Sequence, residues 1–179
     1  KNFKAVTCKR TSITYTWSLV SGADGYKLYT YDSSKKQYKL IADTKKTSYK
    51  IKSLKAGKTY TVYIKAYFVE GGKTYESASY TKNTASTLLD VAKIKSLKLG
   101  KGKAVVNLSK VNYAEGYKIY MATSKNGAYK YVGKTSKLKF TKKSLKKGKT
   151  YYFKVRAYKT LGGKNIYGAY SSVKKVKVK

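Results

Sequence analysis

The chain has 179 residues, and 42 lysines and arginines against 7 aspartates and glutamates give it a formal charge of +35, far more than solubility requires. It has no histidine and one cysteine, Cys8, which excludes an internal disulfide, histidine-dependent triads and zinc sites that need two cysteines. Arg10 and Arg156 are the only arginines, so the charge is carried by lysine ammonium groups and not by the planar forks that read guanine edges, which disfavours sequence-specific DNA recognition. No apolar run approaches the roughly 20 residues that cross a bilayer, and no signal peptide opens the chain. A start at Lys1 without methionine reads as a fragment or a processed form. A hydrophobic content of 41% with 21 tyrosines supplies the β-formers that disordered chains lack.

Ile13, Tyr15 and Trp17 alternate with Thr14 and Thr16, the period-two pattern of a strand with one wet face. A turn signal at 22–25 leads into GYKLY at 25–29, and a second one at 32–36 closes that run. Farther on, Tyr60, Val62, Ile64 and Ala66 alternate with Thr61, Tyr63, Lys65 and Tyr67, before a turn at Gly71-Gly72-Lys73. The series then recurs. GYKIY at 116–120 stands 116 − 25 = 91 positions on, and Tyr38 with Tyr129, Gly57 with Gly148, Ala66 with Ala157 and the two Gly-Gly-Lys turns keep that offset without a gap. Asn126-Gly127 is a two-residue hairpin signal. A repeat of about 90 residues is too long for a solenoid unit and is the size of a small domain that buries its own core. About seven short strands per unit, turns every 8 to about 12 residues and no helical stripe predict an all-β chain of two tandem β-sandwiches. Their expected extents are 1–89 and 90–179, joined near 88–92 by a short connection without Gly, Pro or Ser, which is semi-rigid on that composition.

On these residues each unit resembles a fibronectin type III domain. Trp17 stands as the buried aromatic of the second strand, G-Y-x-[LI]-Y as the third, and Leu54, Gly57 and Tyr60 form an L-x-x-G-x-x-Y corner that runs into a Y-x-V-x-I-x-A strand. In the second unit Leu108 takes the place of Trp17, and Leu145, Gly148 and Tyr151 repeat the corner ahead of Phe153, Val155 and Ala157. The resemblance implies immunoglobulin-like sandwiches in which the Tyr60 and Tyr151 hydroxyls bond back to the backbone near the corner, while Gly57 and Gly148 adopt a conformation costly for other residues. The proline common before the corner glycine is replaced by Ala56 and Lys147, and the chain has no proline at all. As to function, the resemblance implies extracellular modules for spacing, display or adhesion. A lysine-rich version free of disulfides is similar to those in secreted or surface proteins of Gram-positive bacteria.

Catalytic chemistry finds little support. The seven carboxylates, Asp24, Asp32, Asp43, Glu70, Glu76, Asp90 and Glu115, are scattered over both units. Glu70 and Glu76 flank one hairpin, but a glycosidase pair also needs a cleft. No phosphate-binding glycine loop leads into a helix, and the sequon Asn107-Leu108-Ser109 falls on an expected buried strand. The expectation is a protein that is not an enzyme and holds no cofactor or metal.

Alternation instead assembles a basic and aromatic face: Lys27, Tyr29 and Tyr31 beside Tyr63, Lys65 and Tyr67, and in the second unit Lys118 and Tyr120 beside Tyr152, Lys154, Arg156 and Tyr158. Rings interleaved with cations can stack on sugars or bases while the cations neutralise phosphate, sulfate or carboxylate. The same residues also read as ordinary wet strand surface, with tyrosine and threonine as strand formers, lysine guarding sheet edges, and Tyr29–Tyr63 and Tyr120–Tyr152 as cross-strand pairs. Both readings stay open in the sequence. The function expected is a monomeric, non-catalytic structural and adhesive module, secreted or at the cell surface. Its partners would be teichoic acid, acidic glycans or other domains of a parent protein, with no small-molecule substrate and no membrane insertion. The alternative is a carbohydrate-binding accessory module of a secreted glycosidase; sequence-independent nucleic-acid binding is a third reading.

Overall fold

The computed structural model describes residues 2–179, which fall into two compact units, one up to Thr87 and one from Leu88. The first contains eight strands: β1 (Lys4–Cys8), β2 (Ile13–Thr16), β3 (Gly25–Asp32), β4 (Gln37–Thr44), β5 (Ser48–Ile51), β6 (Thr59–Glu70), β7 (Lys73–Glu76) and β8 (Thr81–Ser86). One sheet has the order β1-β2-β5, the other β4-β3-β6-β7 with β8 also on β6. All pairings are antiparallel. The alternation read from the sequence puts Ile13, Tyr15, Leu28, Val62 and Ile64 into the core, with Phe3, Trp17 and Tyr26 stacked edge-on beside them.

The second unit repeats this plan: β9 (Ile94–Gly100), β10 (Lys103–Leu108), β11 (Gly116–Ala122), β12 (Lys130–Thr135), β13 (Lys139–Lys142), β14 (Thr150–Leu161), β15 (Lys164–Tyr167) and β16 (Lys174–Lys177). Its sheets are β13-β10-β9 and β12-β11-β14-β15, with β16 also on β14. Leu108, Ile119, Phe153 and Val155 are buried at its centre. Burying a side chain such as Phe153 stabilises the unit by roughly 1.5–3 kcal/mol. Leu89 and Ala92 belong to this core, so the segment expected as a join is packed into the second unit. No helix occurs among the described residues.

Three local expectations need correction. The expected number of about seven strands becomes eight because the last strand of each sandwich is broken: β7 and β8 lie along the same edge of β6, separated by Ser77, Ala78, Ser79 and Tyr80. Trp17 lies one residue beyond β2, its amide bonded to the Thr47 carbonyl. Asn126-Gly127 does not form a two-residue hairpin. β11 ends at Ala122 and β12 begins at Lys130, and the turn spans Ser124 to Gly127, closed by the Gly127 amide on the Ser124 carbonyl. A type I′ turn, the one that Asn-Gly favours, needs positive φ at both central residues, a requirement met instead by Gly71 and Gly72 (φ 56 and 76) and by Gly162 and Gly163 (φ 56 and 75). The sequon asparagine, Asn107, lies on strand β10 as expected, where it is half-buried and donates from Nδ2 to Ser96 Oγ at 2.9 Å.

Candidate basic and aromatic binding face

The corner prepares the face by fixing where the long strands β6 and β14 begin. The Tyr60 hydroxyl accepts the Lys55 amide at 2.8 Å, and the Tyr151 hydroxyl accepts the Lys146 amide at 3.1 Å. Gly57 (φ 72) and Gly148 (φ 80) make the reversal. Leu145 is buried and Leu54 is half-buried against the core of its unit. From that start the period of two turns Tyr63, Lys65 and Tyr67, and in the other unit Tyr152, Lys154, Arg156 and Tyr158, away from the core.

In the first unit Lys27 pairs with Lys65 and Tyr29 with Tyr63 across β3 and β6, while Tyr67 faces Gly25. A Cβ on Gly25 would stand 2.5 Å from the Tyr67 hydroxyl, so glycine is the residue that lets this ring lie over the strand. Two adjacent lysines repel, and the carboxylate of Glu76, brought alongside by β7, relieves them. Glu76 Oε1 accepts from Lys27 Nζ at 2.9 Å and from the Tyr29 hydroxyl at 2.8 Å, and Oε2 lies 3.8 Å from Lys65 Nζ. Burial pushes the Glu76 carboxyl up, but the hydrogen bonds from Lys27 and Tyr29 and the two ammonium charges outweigh it and hold the group below its ordinary value. Burial, and after it the hydrogen bond to Glu76, pushes the Tyr29 phenol up. Tyr67 donates to Asp43 at 2.9 Å.

The rings assemble differently from the expected cross-strand pairs. Tyr29 and Tyr63 are in register, but each meets Tyr38 and Tyr80 edge-on, and Tyr38 and Tyr80 are themselves stacked at 4.0 Å. Tyr31 packs edge-on against Tyr38. Lys65 Nζ lies 4.5 Å from the centre of Tyr80, and Lys27 Nζ lies 5.3 Å from that of Tyr67. In the second unit Tyr120 faces Lys154 and not Tyr152, which pairs with Ala122. The duplication explains this, because Lys154 occupies the place of Tyr63, and Tyr152 that of Thr61.

Three cations of the second face are wrapped in tyrosine. Arg156 donates from Nε and Nη2 to the Tyr120 hydroxyl at 3.2 and 2.9 Å, and its guanidinium lies 3.7 Å above Tyr167. Lys154 Nζ sits 4.3 Å from the centres of both Tyr129 and Tyr170. Lys118 Nζ donates to the Tyr167 hydroxyl at 2.7 Å and lies 5.6 Å from the centre of Tyr158. That hydrogen bond pushes the Lys118 ammonium up. Such cation–ring contacts contribute roughly 0.5–1 kcal/mol each when exposed and more when dry. Tyr80, Tyr129, Tyr131, Tyr167, Tyr170 and Glu76 belong to these faces although strand alternation did not select them.

Glu70 and Glu76, the two carboxylates that flank one hairpin, lie on opposite sides of it. Glu76 pairs with Tyr67 and shares its face, whereas Glu70, three residues from Tyr67 on β6, points to the opposite side of the hairpin. Among the described residues there is no cluster of three or more His, Cys, Asp or Glu that could hold a metal ion.

Residues 1–82 match the sequence profile of the fibronectin type III domain. No curated protein matches the chain. Among solved structures, a segment of two fibronectin type III domains from chicken tenascin is 19% identical, aligns over 99% of this chain and 98% of its own, and superposes with a TM-score of 0.57. The FN1–FN3 domains of chicken CNTN1 are 16% identical over 99% of this chain and 66% of their own, with a TM-score of 0.47. A protein called FN3tt is 23% identical over 48% of this chain and 87% of its own, with a TM-score of 0.39. The tenascin superposition shows that the whole chain shares the fold of two tandem fibronectin type III sandwiches.

Proposed function

We propose that the chain is a non-catalytic structural and adhesive tandem, of a kind found in Gram-positive surface or secreted proteins, whose basic face associates with anionic cell-envelope polymers or host glycans. The observation that carries this reading is the layer of lysine and arginine laid over tyrosine rings on the outer side of β6 and β14. Cations over rings remain charged and offer both an electrostatic and a stacking contact to an acidic saccharide. The formal charge of +35 adds long-range attraction to any polyanion. A secreted or cell-surface location, where such polymers are found, follows from the same reading. Among the described residues no helix is long and apolar enough to cross a membrane.

A second reading, a carbohydrate-binding accessory module, draws on the exposed rings of Tyr131 and Tyr170. Binding of the chain to an array of neutral and anionic glycans at physiological salt tests both. Signal confined to anionic glycans supports the adhesive module, signal on neutral ones supports the accessory module, and silence on both leaves a spacer.

A further inference from the structure

The two units treat equivalent positions in opposite ways. In the first, Lys27, Tyr29 and Lys65 converge on the Glu76 carboxylate. With the offset of 91 positions their counterparts are Lys118, Tyr120 and Arg156, and the counterpart of Glu76 is Tyr167. The donor set of a carboxylate cradle is therefore kept in the second unit, and the internal carboxylate is not. Tyr167 supplies a neutral oxygen to Lys118 and a ring beneath Arg156, which shelters the cations without cancelling their charge. Lys154, in the place of Tyr63, adds a third. Among the described residues no carboxylate pairs with Lys118, Lys154 or Arg156. Of the two in this unit, Glu115 holds the Thr160 amide and Asp90 lies in the segment before β9.

Resting on the polyanion reading above, we propose that the second unit carries the binding face, that the first is closed by its own Glu76, and that the ligand is a carboxylated polysaccharide. Its carboxylate takes beside Lys118, Tyr120 and Arg156 the role Glu76 has in the first unit. A sugar ring lies on the neighbouring rings of Tyr131 and Tyr170, which are 52% and 41% exposed and both edge-on to Tyr120. The internal precedent is a carboxylate, which favours uronic-acid chemistry over the phosphates of a nucleic acid. A broad sheet surface studded with rings suits pyranose faces better than an acidic peptide.

The test substitutes the two residues that distinguish the units, and glutamate at 167 is the residue already accommodated at the equivalent position of the first unit. Binding of the whole chain is measured to polygalacturonate, to its methyl ester, to poly-L-glutamate and to single-stranded DNA, with circular dichroism verifying the fold of each variant. Tyr167→Glu should weaken polygalacturonate binding by about tenfold or more, the scale of one lost charge-assisted contact. Thr141→Glu, on an exposed position of the opposite sheet, makes the same charge change and should weaken it less than about threefold. Glu76→Gln should raise the affinity by opening the first face. Lys118→Gln with Arg156→Gln should cost more than Lys27→Gln with Lys65→Gln. Equal losses for Tyr167→Glu and Thr141→Glu would overturn the inference while leaving general polyanion attraction intact. Tighter binding to DNA, poly-L-glutamate or the methyl ester than to polygalacturonate would overturn the assigned ligand. Failure of the unmodified chain to bind any of them at low salt would remove the polyanion reading itself.

Discussion

Replacing Tyr151 with phenylalanine deletes one oxygen at the corner of the second sandwich and leaves its ring, which is 7% exposed, in place. The Lys146 amide, 3.1 Å away in a half-buried setting, loses its acceptor and is rehydrated incompletely. An intramolecular hydrogen bond contributes about 0.5–1.5 kcal/mol net, and a buried donor left alone costs about 1–3 kcal/mol, so a loss of about 1–2 kcal/mol is expected. For a unit of this size each kcal/mol lowers the midpoint by about 4–8 °C. Trp17 is the only tryptophan and lies in the first core, so its fluorescence follows the first unit while far-ultraviolet dichroism follows both. Tyr151→Phe should lower the dichroism midpoint and leave the Trp17 transition in place. Tyr60→Phe should move the Trp17 transition, by less, because its bond to Lys55 is exposed. An unmoved dichroism midpoint for Tyr151→Phe would refute the role given to the corner.

Gly148→Ala should destabilise the second unit by about 1 kcal/mol through its left-handed backbone alone, since φ is +80 and a Cβ there meets nothing within 4 Å; denaturant titration measures it. Phe153→Ala should cost about 3–5 kcal/mol, enough to abolish the second transition in calorimetry. Glu76 has a depressed pKa in the folded protein, so its pairing stabilises the first unit above the unfolded glutamate value of about 4.3 and is lost as pH falls through the lower folded value. Glu76→Gln should therefore lower Trp17-monitored stability at neutral pH and flatten its decline in acid. Burial raises the Cys8 thiol, so alkylation at pH 8 should be slower than for a free cysteine and should accelerate on unfolding.

Strand alternation and the gapless offset made the two sandwiches legible, because a sheet with one wet face imposes its period of two directly on Val62, Ile64, Phe153 and Val155. Lys27, Tyr29, Lys65, Lys118, Lys154 and Arg156 could be placed on the outer faces for the same reason. Ring partners were not legible in this way. Tyr80 and Tyr170 come from irregular segments after β7 and β15 and stand at offsets that differ by one residue, so neither periodicity nor repeat alignment selects them. Glu76 lies in a hairpin whose length the sequence shows but whose pairing with Tyr67 sets the contact with Lys27. The turn at 124–127 misled because the dipeptide Asn-Gly is informative only when the strands reach it, and β11 stops at Ala122.

The most direct measurement of polyanion attraction is the salt dependence of binding to an acidic polysaccharide. Counterion release predicts a linear fall of log K with log salt concentration, amounting to orders of magnitude between about 50 and 200 mM for six to ten neutralised charges. Replacing Lys154 and Arg156 with glutamine should make the slope shallower, and replacing Tyr170 with serine should weaken binding without altering it. A constant independent of salt, or no binding at low salt, would contradict the assignment of these faces to anionic polymers.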